Sequence, residues 1–389
     1  VITGNLELSN ADVPQDVVLE NCIFDGPVDL TGSHFAKSLF ISDSIFKSWV
    51  NFSRGIVGVD FVVERSTFGY GEAQFGAMRV GRNFRIEGAT FNPRIISFAR
   101  TSVGGDFSAG NSTFKAESVS FDDMQVGGSF SAQHCAFNYD QASFPEVTPP
   151  VEGARVSFDR ARFGDCFLNG SGFNKVSTIS FAGMQADLIS VDGVFSITPA
   201  KINLQRMSFK RVSPVNVDQL SFLLSNYNAE FYTDVESWFR AHGYPDESDK
   251  IYIAKRRAER SENCTSIWRQ CYRGAWAWSL FQDLLAGYGK RLQNLLYWSV
   301  GFLIIGMLVF RSEKGMRIQD EREAPHYAGR YNAFWYSLDL FLPIIKLGEA
   351  DVWTPKDDRR WANLYRKVHI IIGSLFVPIG LAAWTGIIK

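Results

Sequence analysis

Cysteine and histidine are scarce in this chain, five of each among 389 residues, and neither sign of charge prevails, with 40 Lys and Arg against 41 Asp and Glu. Scattered cysteines without a recognisable signal peptide argue against a disulfide-built secreted protein. His134 and Cys135 stand side by side, but no second pair lies at metal-ligand spacing. There is no G-x-G-x-x-G between a strand and a helix and no haem-type cysteine pair. No metal, no cofactor and no enzymatic activity is therefore expected. Residues 1–213 hold 22 acidic and 18 basic side chains, a balance that suits neither a nucleic-acid binder nor an acidic mimic of DNA. Val1 in the first position predicts a missing or processed N-terminus.

What the first half does have is a row spacing. Phe61, Phe84, Phe107 and Phe130 are 23 residues apart, as are Phe68, Phe91, Phe114 and Phe137. Phe52, Phe75, Phe98, Phe121 and Phe144 repeat the interval, and Val57, Val80, Val103 and Val126 form a fourth ladder. Neither helical nor strand periodicity brings four apolar rows back at this distance; a solenoid does, one row to each edge of the tube. Coils spaced about 4.8 Å apart, as neighbouring strands are, make eight or so coils a rod of roughly 40 Å. The ladders slip after Phe144, where FPEVTPPVEGA reads as an inserted loop, and resume with Phe158 and Phe181.

Small residues sit two places before many large ones: Cys22 before Phe24, Ser33 before Phe35, Ser66 before Phe68, Ala89 before Phe91. Over residues 17–209 this resembles the pentapeptide-repeat family, whose four-sided β-helix turns a large residue inward at each side and tucks a small one beside it. The sides are lengthened here, and a three-sided β-helix with longer coils is the alternative. The Phe rows are expected to be core, and Cys22 and Cys135 buried small hydrophobes.

Beyond Ser213 the ladders stop. Residues 218–244 place apolar side chains at three-to-four spacing, as an amphipathic helix does, and a second helix carries Lys255, Arg256 and Arg257. Residues 268–291 combine Trp268, Trp276 and Trp278 with Arg and Lys, a mix suited to a bilayer surface. Residues 292–310 are 19 without a charge, and residues 369–388 are 20 whose only ionisable side chain is His369. Both runs meet the length of an apolar core about 30 Å thick. Between them, residues 331–345 are 15, too few to cross comfortably, and Asp339 and Pro343 interrupt them. Such a length predicts a re-entrant helix; a third full crossing at 331–348 is the alternative, because it would bring Lys356, Arg359, Arg360, Arg366 and Lys367 inside.

A second resemblance covers about 240–389. Tyr288, Gly289 and Lys290 before the first run, and Phe334, Trp335, Tyr336 and Ser337 leading the dipping segment, are similar to features of bacterial proteins that join pentapeptide repeats to a two-span potassium-channel-like module. That family carries Thr-x-Gly-Tyr-Gly followed by Asp, whereas residues 342–351 here read LPIIKLGEAD. Without the glycine-punctuated strand, the resemblance carries no potassium selectivity. The chain is also similar to bacterial proteins named as membrane-associated oxidoreductases, a label its residues do not support: Gly69, Tyr70 and Gly71 fall inside a solenoid coil.

The expected architecture is a pentapeptide-like β-helix over 1–213, an α-helical linker over 214–291, and a transmembrane α-helical channel-like domain over 292–389, with two spans and a re-entrant pore-like helix. Ser337, Asp339, Pro343, Lys346, Gly348, Glu349 and Asp351 are the pore and selectivity candidates. Asp339 reads either as functional or as an internal hydrogen-bond anchor. Glu349 and Asp351 read either as an acidic ring in an oligomer or as solvated loop acids. Lys346 pairs with one of them or disfavours cations, and Pro343 ends the short helix. Gly301, Gly306, Gly373 and Gly380 read as packing glycines. The functional expectation is a homo-oligomeric ion-channel-like protein, tetrameric by analogy with the family, passing ions through the inner membrane of a bacterium. Its cytoplasmic β-helix would sense or dock a protein partner. The rival is a membrane-anchored scaffold or defence effector without transport.

Overall fold

Residues that recur every 22 or 23 positions satisfy their backbone by bonding to the coil before and the coil after. The computed structural model of the chain has this arrangement. It describes residues 1–139, 154–194, 201–213, 216–265, 273–291, 293–319, 327, 329–342 and 345–384. Pro343, Phe144, Trp268, Leu292 and residues 385–388 lie outside the described residues. The chain divides into two compact units, residues 1–258 and 259–389.

The first unit is a parallel β-solenoid of about eight turns. A middle turn contributes four short strands, Val50–Asn51, Ile56–Val57, Phe61–Glu64 and Thr67–Phe68. Among the described residues its strand pairings are parallel, with Phe61 beside Phe84, Phe84 beside Phe107 and Phe107 beside Phe130, and the register shifts by a residue between Ala154 and Arg155. The first turns are one residue shorter, so Val28 pairs Val50 before Val50 pairs Ala73. Phenylalanine rings stack in columns through the interior: Phe24, Phe46, Phe68, Phe91, Phe114, Phe137 and Phe173 follow at 4.5–5.1 Å. In the second column the ring stacked on Phe121 is Phe158, 5.0 Å away, where the spacing predicted Phe144. An insertion interrupts a sequence ladder without interrupting the stack.

The small residues have a job the pattern did not reveal. Ser44, Ser66, Ser112 and Ser171 are buried, and their hydroxyls accept from the backbone N–H of Cys22, Ser44, Ala89 and Cys135 one coil earlier, each at 3.1 Å. A buried N–H without an acceptor is costly, so a hydroxyl at this corner completes the ladder. Cys135 is buried and Cys22 only partly so; burial pushes the Cys135 thiol up to about 12, which leaves it unreactive. Two corners of each turn take left-handed backbone. One runs through Asn10, Gly32, Arg54, Ala77, Arg100 and Asp123, the other through Asn21, Asp43, Arg65, Gly88, Asn111 and His134. The place of His134 in a corner column accounts for it without a ligand. The solenoid's core extends past its last coil. Phe222 stacks on Phe173 at 5.4 Å, and Phe231, Val235 and Phe239 of helix α1 (Ala229–Ala241) belong to the same cluster.

Helix α2 (Pro245–Thr265) leads into the second unit, which holds α3 (Arg273–Ala286), α4 (Gln293–Val309), α5 (Ala333–Phe341), α6 (Glu349–Val352) and α7 (Arg360–Trp384). Strands Met316–Ile318 and Trp353–Pro355 pair antiparallel between them. Gly287, Tyr288 and Gly289 all take positive φ in the loop before α4. The Tyr288 hydroxyl accepts from Arg260 at 3.1 Å, and Arg260 also binds Asp283 at 3.2 Å.

The expected two-span transmembrane domain is corrected here. Among the described residues no helix is long and apolar enough to cross a membrane. Helix α4 has 17 residues, which at 1.5 Å each give about 25 Å, short of a 30 Å apolar core. Phe310 leaves it to pack against Tyr336 at 5.0 Å. Helix α7 has 25 residues, but Arg360, Arg366 and Lys367 occupy its first two turns. The dipping segment is a nine-residue helix, α5, whose Tyr336, Ser337, Asp339, Leu340 and Phe341 are buried inside the unit. A pore built on two crossings loses its premise and is not carried forward.

Candidate functional site

Helices α4, α5 and α7 cross where side chains are smallest. A Cβ on Gly306 of α4 would strike the Ser337 hydroxyl of α5 and lie 3.0 Å from the His369 ring of α7. A Cβ on Gly373 of α7 would overlap the Phe341 carbonyl of α5. Two of the four glycines thus let backbones approach closely, whereas Gly301 has nothing within 4 Å.

Ser337 and His369 are wholly buried in this crossing. His369 Nε2 lies 3.0 Å from the Ser337 carbonyl oxygen and 3.2 Å from its hydroxyl, and that hydroxyl donates to the Leu303 carbonyl at 3.3 Å. A carbonyl only accepts, so Nε2 carries the proton of the neutral ring. Nδ1 is buried without a partner. The pair therefore differs from a hydrolytic dyad, which needs a bare Nε2 lone pair on the hydroxyl and a carboxylate at Nδ1. Both are missing.

Asp339, two residues after Ser337, anchors the segment that leads from α5 into α6. Its two carboxylate oxygens accept from the backbone N–H of Leu347 at 2.8 Å and Ala350 at 2.7 Å. Gly348 between them takes φ +90°, the left-handed turn that lets α6 start there. Of its two readings, the internal anchor is the one with visible bonds. Burial, and secondarily the Asp339 charge, raises the pKa of Glu349 above the ordinary carboxylate value. Lys346 and Asp351 are exposed. Asp339, Gly348 and Glu349 are thus gathered by a fold-back of α5 on α6, whereas Ser337 faces α4 and α7, and Lys346 and Asp351 lie outward. Asp339→Ala is expected to destabilise the helical unit by about 2 kcal/mol, since charge-assisted bonds to two backbone donors are lost. Denaturant unfolding followed by tryptophan fluorescence measures this; a loss below about 0.5 kcal/mol, within the noise of the method, contradicts the anchor role.

Three neighbours were not among the site candidates. Tyr336 is wholly buried, its hydroxyl has no partner, and burial pushes its pKa up to about 12. Arg366 donates to the Thr354 hydroxyl at 2.8 Å while its Nε is buried without an acceptor. His369 itself was seen only as the edge of an apolar run. The available signal was the three-residue step from Arg366 to His369, which puts both on one helix face. Among the described residues no group of His, Cys, Asp and Glu could hold a metal ion. No protein family, curated protein or solved structure is matched by this chain.

Proposed function

We propose that the chain is a lipid-associated scaffold, its helical unit bedded in a bilayer surface and its β-solenoid presenting a surface to a protein partner. The observation that carries this is the apolar exterior of the second unit. Helix α4 has no charged side chain, yet Leu296, Tyr297, Trp298, Val300, Ile304, Ile305, Met307 and Leu308 are exposed, Tyr297 by 71%. Leu364, Val368, Ile371 and Leu375 of α7 continue the same character. Apolar surface on this scale on a folded unit calls for a cover. Trp276, Trp278 and Trp335 are exposed too, and Lys290, Arg291 and Arg311 flank α4. Indole rings and basic ends are what the headgroup region favours. On the solenoid, Trp49 and Tyr70 are exposed, and residues of these types make the anchors of protein interfaces. The location in keeping with this reading is the inner face of a bacterial cytoplasmic membrane.

Flotation with vesicles of phosphatidylethanolamine and phosphatidylglycerol tests the reading. The full chain is expected to rise with the lipid. A Leu308→Glu, Ile371→Glu double variant is expected to bind at least about tenfold more weakly, because burying each carboxylate in lipid costs roughly 2 kcal/mol or more. A chain that stays at the bottom of the gradient, or a double variant that floats equally well, overturns it. Sedimentation without lipid shows whether a second copy covers the same surface instead.

A further inference from the structure

We propose that His369 is a proton-operated catch that holds α5 in the angle between α4 and α7, closed while the imidazole is neutral and released when it takes a proton. The reason is geometric. Nε2 is committed to the Ser337 carbonyl at 3.0 Å, so any added proton must go to Nδ1. Nδ1 is wholly enclosed and faces no acceptor. The Phe341 and Tyr365 rings stand 5.3 Å from the imidazole, and Gly306 brings the α4 backbone against its other side. An imidazolium there has a donor with no partner and a charge with no water, and both penalties fall on the closed joint alone.

The surrounding groups offer little relief. Helix α4 brings no charged side chain. Helix α5 brings Asp339, both of whose oxygens are already taken by Leu347 and Ala350. On α7 itself Arg366, one turn away, and the exposed Lys367 are cations, which oppose a further positive charge. Strand Trp353–Pro355 contributes only Thr354, bonded to Arg366. The phenols of Tyr336 and Tyr365, each pushed up to about 12 by burial, stay neutral throughout.

Burial lowers the pKa of His369 from its ordinary 6.5, only partly offset by the bond to Ser337. The opened joint thus binds the proton at about 6.5 and the closed joint at a lower pH. Stability is therefore full above 6.5 and falls as the pH drops below it, by at most about tenfold per pH unit. At pH 5.0 the ceiling is about 30-fold. Glu349 acts in the opposite direction, because its raised pKa makes the folded form gain as the pH falls.

Hydrogen exchange of the full-length chain, read on peptides covering 333–341 and corrected for the intrinsic rate, decides the matter. Between pH 7.5 and 5.0 protection of α5 in the wild type is expected to fall by roughly tenfold or more, toward that ceiling. In His369→Gln, whose amide can still donate to the Ser337 carbonyl but does not titrate, protection is expected to stay level. Unchanged wild-type protection, or an equal fall in the glutamine variant, overturns the catch. Should that variant fail to fold, the imidazole titration followed by carbon NMR on the wild type takes its place. A midpoint below 6.5 supports the proposal, and one at or above 6.5 sinks it.

Discussion

Phe98→Ala is expected to destabilise the solenoid by about 3–5 kcal/mol, among the largest effects of any single truncation in the chain. The Phe98 ring is wholly buried, stacked between Phe75 at 5.0 Å and Phe121 at 5.1 Å. Phe84 and Phe107 meet it edge-on at 5.9 and 5.7 Å. Removing the ring costs its transfer energy and leaves a void. In many cores the neighbours lean in and shrink such a void. Here they are held apart by the ladder: Phe75 N–H donates to Ser97 O at 2.7 Å and Phe98 N–H to Ser120 O at 2.8 Å. Coil spacing is fixed by those bonds, so collapse would break several at once. Ser97→Ala, at the half-buried last position of the strand Ile95–Ser97 just before Phe98, is expected to change stability by only about 0.5 kcal/mol. Because a solenoid is bound together by nearest neighbours, the loss should show first as faster hydrogen exchange in residues 73–121. A Phe98→Ala chain that unfolds within about 1 kcal/mol of the wild type would mean that the coils do close over the gap.

The second large effect belongs to the helical unit. Gly373→Val is expected to cost about 3 kcal/mol or more, enough to free α5 from α7. Its Cβ would overlap the Phe341 carbonyl oxygen and lie 2.8 Å from the carbonyl carbon and 2.9 Å from Cα. These are backbone atoms and cannot rotate aside, so α5 as a whole has to move. That movement would also pull Ser337 off His369. Gly301→Ala is the matched control: with nothing within 4 Å of its Cβ, alanine only improves helix propensity, by up to about 1 kcal/mol. Exchange protection of residues 333–341 separates the two. Wild-type protection in the valine variant would show that the crossing has slack.

Legibility in the sequence differed sharply between the two halves. The Phe61, Phe68 and Val57 rows fix a solenoid because each coil repeats one local rule, and parallel pairing carries that rule from coil to coil without further information. The row interval alone did not give the next ring of the stack. Extra residues between two coils leave the backbone ladder intact, because it resumes at the next matching strand, and so Phe158 took the position above Phe121. The change of character at Ser213 was readable as a change of secondary structure. That Phe222 and Phe231 nonetheless join the solenoid core was not, since it depends on which apolar face meets which.

In the second half, uncharged length over 292–310 misled. Hydropathy counts residues, whereas a helical span requires that they form one helix as long as the apolar core is thick. Helix α4 instead ends at Val309, and Phe310 turns in against Tyr336. What the chain order of residues determined alone was the solenoid, its period and its apolar interior, because there neighbouring coils repeat the same contacts. Tertiary structure alone decided that Ser337, Gly306 and His369 meet and that Asp339 holds the backbone of Leu347 and Ala350. Contacts between residues far apart in the chain, made once and never repeated, leave no periodic trace in a sequence.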